Sequence, residues 1–558
     1  MNKNNKQSFW TIDIETRGFT GKFILGGAYN GKKYFVFDDE KKFMDFILNI
    51  KGNIFAHYLD FDFRTILQYC LNNNIKSQSL PIMSGDKRVI YWKVNEAVFR
   101  DSFTITKSSL KDLADSFNLK TKKIKVENYQ FTKKTKKLEE YLENDVIALY
   151  KIITKLYDFI GWNNFNKKTI ASVSMEKFKE IDKQSYKRIT EYSIYKEVDI
   201  FLRQAYFSGY HATFKSEIEG EKQNILKIDI NSYYASVMRD HSFPWGAIIK
   251  AKNEKETHKL ITRNLGIIQA KAVIPNGLKF GFLPIKTEDG VDYPIKGTIN
   301  GVWTTPEIKF AEKLGYRFNL EKAIFWQSHD YLFRKYINYL SKIKEKSRGA
   351  KRVIAKQLLV SLYGKFAQRR DISILKHLEK PIPNRLYLDD NLTISEETKY
   401  IRTPYSHPEI SIFTTAWARI WMYDLCQKIG FDNIYAIIND SLILVDNLSA
   451  EFKKEWIHPT KIGKFKIVSN VDKGIILGRG VYAIKDKTGE EIIRNQGGLK
   501  EFNRLLTYKD FEKIKKSNKK IWNQYDKLKR PKTIYSYLKN KGKLKEESVV
   551  SRKVVIKQ

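Results

Sequence analysis

The sequence predicts a multidomain chain of mixed α/β and α+β type. Three observations carry that expectation. At 558 residues, the chain is too long for one hydrophobic core and divides into three or four domains. Its apolar fraction of 42%, with 14% aromatic residues, belongs to a packed chain and excludes a disordered one. Short β-favouring runs and segments of helical period follow one another along its length.

Charge narrows the partners. Lys and Arg number 101 against 63 Asp and Glu, a formal charge of +38. Such an excess suits a polyanion, nucleic acid first and an anionic membrane second. The start MNKNNKQSFW has no apolar signal core, and no stretch of 18 apolar residues occurs, so neither secretion nor a membrane span is expected. Two cysteines, Cys70 and Cys426, exclude a disulfide scaffold or zinc cluster. No H-E-x-x-H pattern occurs among the eight histidines. A catalytic metal must then rest on carboxylates, which favours Mg²⁺, with Mn²⁺ as the alternative.

Taken in order, residues 8–16 read as a strand. Asp13 and Glu15, two apart, share one side of it. Phe23–Gly27 and Lys33–Phe37 continue as a meander, Glu40–Ile50 as a helix and Asn53–His57 as a strand leading to Asp62. Leu138–Thr154 has helical period and sets Tyr141 and Asp145 on one face. Asp13, Glu15, Asp62 and Asp145 thus offer four carboxylates from different elements, enough for two metals, with Tyr141 placed to bond an attacking water. Residues 117–137 interleave Lys120, Lys122, Lys123, Lys125, Lys133, Lys134, Lys136 and Lys137 with Phe117, Tyr129 and Phe131, a pattern that suits a phosphate-tracking surface with stacking rings. Residues 155–200 read as a mainly helical linker.

The stretch Lys227–Ile230 reads as the end of a buried strand that delivers Asp229. The run Asn231–Ser236 follows it. Ile434–Leu444 is an apolar hairpin with Asn439, Asp440 and Ser441 at its turn. Asp229 and Asp440, one per strand, can clamp a pair of divalent ions. Between them, Leu265–Leu283 is β-rich, and Gly301–Glu307 is read as a turn with a helix start at Pro306. Tyr331–Ser361 is a basic helical hairpin turning at Gly349, in which Lys344, Arg352 and Lys356 suit a triphosphate. Tyr363 and Gly364 follow it. Residues 369–403, with Pro381, Pro383, Asp389, Asp390 and Asn391, read as a small hairpin insertion. Ser411–Ile429 is a buried helix. Gly463–Lys466 and Val481–Ile484 read as strands facing a duplex, and 508–548 as a Lys-rich helical subdomain.

These motifs, in this order and spacing, resemble the protein-primed family B DNA polymerases of phages, adenovirus-like viruses and linear plasmids, the small φ29-like phage type above all. Asp13-Ile14-Glu15, Phe61-Asp62 and Tyr141–Asp145 resemble the three exonuclease motifs. Ser102-Phe103 resembles the single-strand contact motif, and Tyr206–Gly209 the tyrosine-glycine motif between the two halves. Asp229–Ser236, Lys356–Gly364 and Asn439–Ser441 resemble polymerase motifs A, B and C.

The resemblance implies a ribonuclease H-like 3′–5′ exonuclease domain at 1–190. It implies a right-hand polymerase with palm at 191–260 and 404–500, fingers at 332–368 and thumb at 501–558. Segments 261–331 and 369–403 correspond to two insertions tied to protein priming. It implies metal ligation by Asp229 and Asp440, and by Asp13, Glu15, Asp62 and Asp145. Tyr234 would lie under the incoming sugar and exclude a 2′-hydroxyl. Lys344, Arg352 and Lys356 would bind the nucleotide phosphates, with Tyr363 near the nascent pair. Ser102, Phe103, Tyr206, Gly209 and Tyr482 would contact DNA. The implied partners are template and primer DNA, dNTPs and a terminal protein, in a monomer or a heterodimer with that protein. The implied place is a host cytoplasm for a phage gene or a mitochondrion for an organelle plasmid.

The pattern also departs from the family. Ile438 stands where motif C has its first Asp, and Tyr58 where the second exonuclease motif has Asn. Val360 replaces Asn in motif B, Ala235 replaces Pro in motif A, and Ser208 replaces the first Gly of the tyrosine-glycine motif. Gly480 aligns with the lysine of a Lys-x-Tyr element, with Arg479 beside it. Two other readings fit the residues: an exonuclease whose polymerase half has decayed, motivated by Ile438, and a non-catalytic nucleic-acid scaffold, motivated by the charge.

Overall fold

The computed structural model describes residues 6–17, 22–75, 81–83, 88–119, 133–220, 223–287, 290–368, 370–376, 395–401, 406–478, 480–495, 507–516, 521–526 and 550–555. Lys120–Lys125, Tyr129 and Phe131 of the basic run lie outside these residues, as do Arg479 and the tip of the 369–403 insertion.

Three large sheets organise the chain. The first has seven strands in the order Tyr34–Phe37, Phe23–Tyr29, Phe9–Thr16, Gly52–Ala56, Ala97–Asp101, Val89–Val94, Ile82–Met83. The three central strands run parallel. Alternation along Phe9–Thr16 divides its side chains between two cores. Ile12 and Ile14 join Phe43, Ile54, Phe63 and Trp92 on one face. Phe9 joins Phe55, Leu149 and Ile152 on the other. That second face is covered by the helix Lys136–Ile160, begun by the Thr135 side chain accepting from Leu138 N. Thr11 Oγ1 donates to Val146 O at 2.8 Å and ties helix to strand.

The second sheet has eight strands. Its main path runs Glu491–Asn495, Val481–Asp486, Phe465–Gly478, Ile225–Ile230, Ser441–Val445, Ile434–Ile438, His211–Thr213. Its central strand, Ile225–Ile230, is apolar at four of its six positions, with Lys227 and Asp229 the exceptions, and is buried on both faces. Behind it lie the helices Tyr233–Asp240 and Pro408–Ile429, the latter buried along most of its length.

The third sheet is antiparallel, in the order Phe243–Lys250, Arg317–Asp330, Gly266–Val273, Thr298–Thr304. Its edge strand begins at Phe243, ahead of residue 261. Gly301–Thr304 lies in a strand and not in the expected turn. The helix Thr305–Lys313 starts only at the capping box of Thr304 and Glu307. Glu307 also meets Arg419 in an ion pair with both side chains 0% exposed. Arg419 Nη1 in turn donates to Ser208 O at 2.7 Å, so this buried charge is paired and its donors are used.

The basic hairpin forms as read, with helices Arg334–Lys346 and Gly349–Phe366. Gly349 turns it at φ +56°. A Cβ there would also sit 2.2 Å from Ser116 O, so both backbone conformation and space call for glycine. The second helix runs on to Phe366 and carries Tyr363 and Gly364 inside it. Residues 155–200 are helical but no loose linker. Phe178, on Ile170–Ile181, packs against Phe333, Tyr336 and Phe366 and joins the two halves in one core.

The C-terminal expectation is corrected. Tyr508–Lys516 is helical, but Ile521–Asp526 is a strand paired with Val550–Val555. The partner lies more than twenty residues on, and local composition does not reveal such a pairing. Among the described residues no helix is long and apolar enough to cross a membrane.

Candidate active site

Sheet register builds the first acidic site. Asp229 stands opposite Ser441 on one side and Lys466 on the other. Ser441 Oγ donates to Asp229 Oδ1 at 2.8 Å, and Lys466 Nζ lies 2.9 Å from Asp229 Oδ2. Asp440 follows Asn439 in the adjoining turn, and its carbonyl accepts from Ile230 N at 2.8 Å. Burial first, and then the charge of Asp229, push the Asp440 carboxyl up to about 6. Two adjacent carboxylates, one buried and repelled by the other, are a donor set of the kind a divalent cation neutralises. Ile438, where the resemblance has a further Asp, is 7% exposed and packed among Ile218, Tyr435 and Ile443.

The other expected polymerase residues surround this end of the sheet. Tyr234 OH donates to Asn439 Oδ1 at 2.7 Å, and its ring lies 4.5 Å from that of Tyr363. Burial, then Tyr206 and Asp440, push the Tyr363 hydroxyl up to about 12, so Tyr206 belongs to the same cluster. Lys344 is 3% exposed, and its Nζ donates to Ser232 Oγ at 2.9 Å. Burial, then the Arg352 and Lys356 charges, lower its ammonium to about 8. Arg352 Nη1 donates to Lys344 O at 3.1 Å, and Lys356 is exposed.

The second acidic site lies between the first sheet and the helix Lys136–Ile160. Asp62 is 1% exposed and accepts from Ile14 N at 2.9 Å. Burial, then the Asp13 charge and, more weakly, that of Glu15, raise its carboxyl well above the usual range. Burial, then Asp145, Asp13 and Glu15, likewise raise the Tyr141 hydroxyl. The five residues therefore share one electrostatic neighbourhood. Among the described residues, however, no three His, Cys, Asp or Glu side chains are grouped as a metal cage. One Asp62 oxygen is committed to the Ile14 amide instead.

Several expected DNA contacts have a different environment. Ser102 is fully buried, its Oγ 2.9 Å from His57 Nδ1, so it braces the site from within. Phe103 is the surface element there. Tyr58 stacks on it at 4.3 Å, and Arg88 and Lys107 lie over its ring at 5.9 and 5.3 Å. Tyr58 has φ +63° and is 41% exposed. Asp101 fixes this turn by accepting from Tyr58 N at 3.1 Å and Phe103 N at 3.0 Å. Gly209 is buried, and Tyr482, 2% exposed, points into the apolar core of the sheet with Lys227 over its ring. Alternation along Val481–Asp486 turns Tyr482 inward. Sequence reasoning missed the roles of Lys466, Asn439, Ser232 and Asp101. Each has a partner distant in sequence, brought to Lys466 by strand register and to Asn439, Ser232 and Asp101 by tertiary packing.

Residues 122–430, more than half the chain, match the family described as DNA polymerase type B, organellar and viral. The chain belongs to this family. It is a DNA-directed DNA polymerase, and enzymes of this family depend on a divalent metal. The DNA polymerase of Bacillus phage Nf is 25% identical to it over 500 residues, 82% of each chain. That of Bacillus phage phi29 is 24% identical over 482 residues, 79% of each. A probable DNA polymerase of Ascobolus immersus is 24% identical, matching 91% of this chain and 48% of its own length. A solved structure of phi29 DNA polymerase with primer-template DNA and incoming nucleotide shares the fold, with a TM-score of 0.77. That match covers 99% of this chain and all of the other, at 19% identity. The polymerase thus has the multidomain architecture of an exonuclease joined to palm, fingers and thumb.

Proposed function

We propose that Asp229 and Asp440 form the synthesis site of this polymerase. The primer 3′-hydroxyl attacks the α-phosphorus of a dNTP there, forming a phosphodiester and releasing pyrophosphate. When bound, Mg²⁺ on these carboxylates would lower the hydroxyl pKa and offset charge on the transferring phosphoryl group. Lys344, Arg352 and Lys356 offset the triphosphate charge from the fingers. The Tyr234 ring meets the sugar, and Tyr363 packs beside the new pair. Asp13, Glu15, Asp62 and Asp145, with Tyr141, serve 3′–5′ removal of a mispaired end, and Phe103 holds the frayed strand. We take 1–190 as nuclease, 191–260 and 404–500 as palm, 332–368 as fingers and 501–558 as thumb. Segments 261–331 and 369–403 serve initiation on a hydroxyl of a separate terminal protein. Phage and fungal relatives support a host cytoplasm or an organelle plasmid as the setting.

The observation that carries this reading is Asp229 and Asp440 side by side at one sheet end, with the Asp440 carboxyl raised by burial and then by its neighbour. Extension of a labelled primer-template with dNTPs and Mg²⁺ tests it. Full-length product is expected. Degradation without any extension would overturn it. Labelling of a candidate terminal protein on a blunt linear template tests the priming step separately.

A further inference from the structure

Asn439 is the first residue of the turn between the strands Ile434–Ile438 and Ser441–Val445, at φ +58°. Asn adopts this left-handed region more readily than most residues. Its backbone N donates to Tyr210 O at 3.0 Å, which pins the turn to the neighbouring segment. Its side chain is therefore delivered to a fixed place, and there Oδ1 accepts from Tyr234 OH at 2.7 Å. Gly209 closes the arrangement from a third direction. A Cβ on it would sit 1.7 Å from Asn439 Oδ1 and 2.9 Å from Tyr234 OH. Only a residue without a side chain leaves room for the pair. Three distant parts of the chain thus converge on one hydroxyl.

We infer that Asn439 is a positioning residue for sugar selection: it holds the Tyr234 hydroxyl and thereby sets where the ring stands against the incoming nucleotide. The inference rests on the reading of Tyr234 as the sugar contact. A tyrosine ring held only by packing swings about χ1 and χ2, whereas one anchored at its far end does not. Exclusion of a single hydroxyl depends on such placement, because the added group is small.

The test is single-nucleotide incorporation, with kcat/KM for a dNTP divided by that for the matching rNTP. Four variants are compared with the wild type. Asn439→Gly keeps the left-handed turn and removes the acceptor. Tyr234→Phe removes only the donor. The double variant combines them, and Tyr234→Val removes the ring. Asn439→Gly and Tyr234→Phe are each expected to lower the ratio roughly fivefold, the size of one neutral hydrogen bond. The double variant is expected to match either single change, because both break the same contact. Tyr234→Val should lower the ratio further than any of these. If it leaves the ratio unchanged, the sugar-contact reading itself fails. If it collapses the ratio while both single changes leave it intact, or if their effects multiply, the role of Asn439 is overturned. Should Asn439→Gly not fold, Tyr234→Phe decides alone, and an unchanged ratio overturns the inference.

Discussion

At the end of the palm sheet, Asp229 meets Ser441 and Lys466 across its two hydrogen-bonded neighbours, and Asp440 enters from the turn of the next hairpin. In the nuclease half, Asp13 and Glu15 come from a strand, Asp62 from the first turn of a helix and Asp145 from the middle of another. Register places Asp229, which a one-residue slip would turn to the other face, and the hairpin turn places Asp440. The second set depends on how two helices pack on a sheet, and burial with mutual repulsion ties its carboxylates together; among the described residues neither set forms a cage of three acidic, His or Cys side chains. Backbone hydrogen bonding thus sets the first pair, whereas side-chain and helix packing sets the second.

The largest expected effects follow from treating these as two independent sites. Asp440→Asn should lower primer extension by at least about a thousandfold, by analogy with loss of a metal-held transition-state interaction. It should leave primer degradation and DNA affinity near wild type. Asp13→Ala with Glu15→Ala should do the reverse, stopping degradation and sparing extension. Both are read from one gel series on the same labelled primer. Equal loss of both activities in either variant would break the comparison.

A smaller effect sharpens the difference at the surface of the nuclease half. The Tyr58 ring on Phe103 offers a stacking platform next to two cations. Base–aromatic stacking is worth about 1–3 kcal/mol per base. Tyr58→Asn keeps a residue suited to φ +63° and removes the ring. Single-strand affinity, measured by fluorescence anisotropy on a labelled oligonucleotide, should fall by roughly tenfold. Extension from a matched duplex should not change.

Much of this architecture is legible in the sequence, for a physical reason. The strand bearing Asp13 and Glu15, the helix bearing Tyr141 and Asp145, and the hairpin around Asp440 are local patterns of period 2 or 3.6. They fold where those periods say. Lys344 is a harder case: its charge and helix are readable, but its burial is not, because Ser232 comes from another part of the chain. Tyr482 shows the same limit, since which face of a strand is inner depends on the sheet it joins. The strand Ile521–Asp526 needs a partner that local composition cannot name. The sequence puts Lys466 in a duplex-facing strand, and only the register against Asp229 gives it a role.

The smallest expected effect concerns that buried cation. The Lys344 ammonium is lowered from its ordinary 10.5 to about 8. Below pH 8 it is charged in both folded and unfolded chains, and the folded chain bears the full cost of its burial. Between about 8 and 10.5 the folded chain has released the proton and the unfolded chain has not, so this contribution to stability improves as pH rises. Nucleotide binding should move the other way, because only the charged form offsets a triphosphate. The KM for dNTP should therefore rise roughly eightfold between pH 7.5 and 9, as the protonated fraction falls. Lys344→Met keeps the apolar stem and should start from a higher KM with that slope removed. A wild-type slope that persists in the methionine variant would assign the titration to another group, and would leave Arg352 and Lys356 as the cations that carry the phosphates.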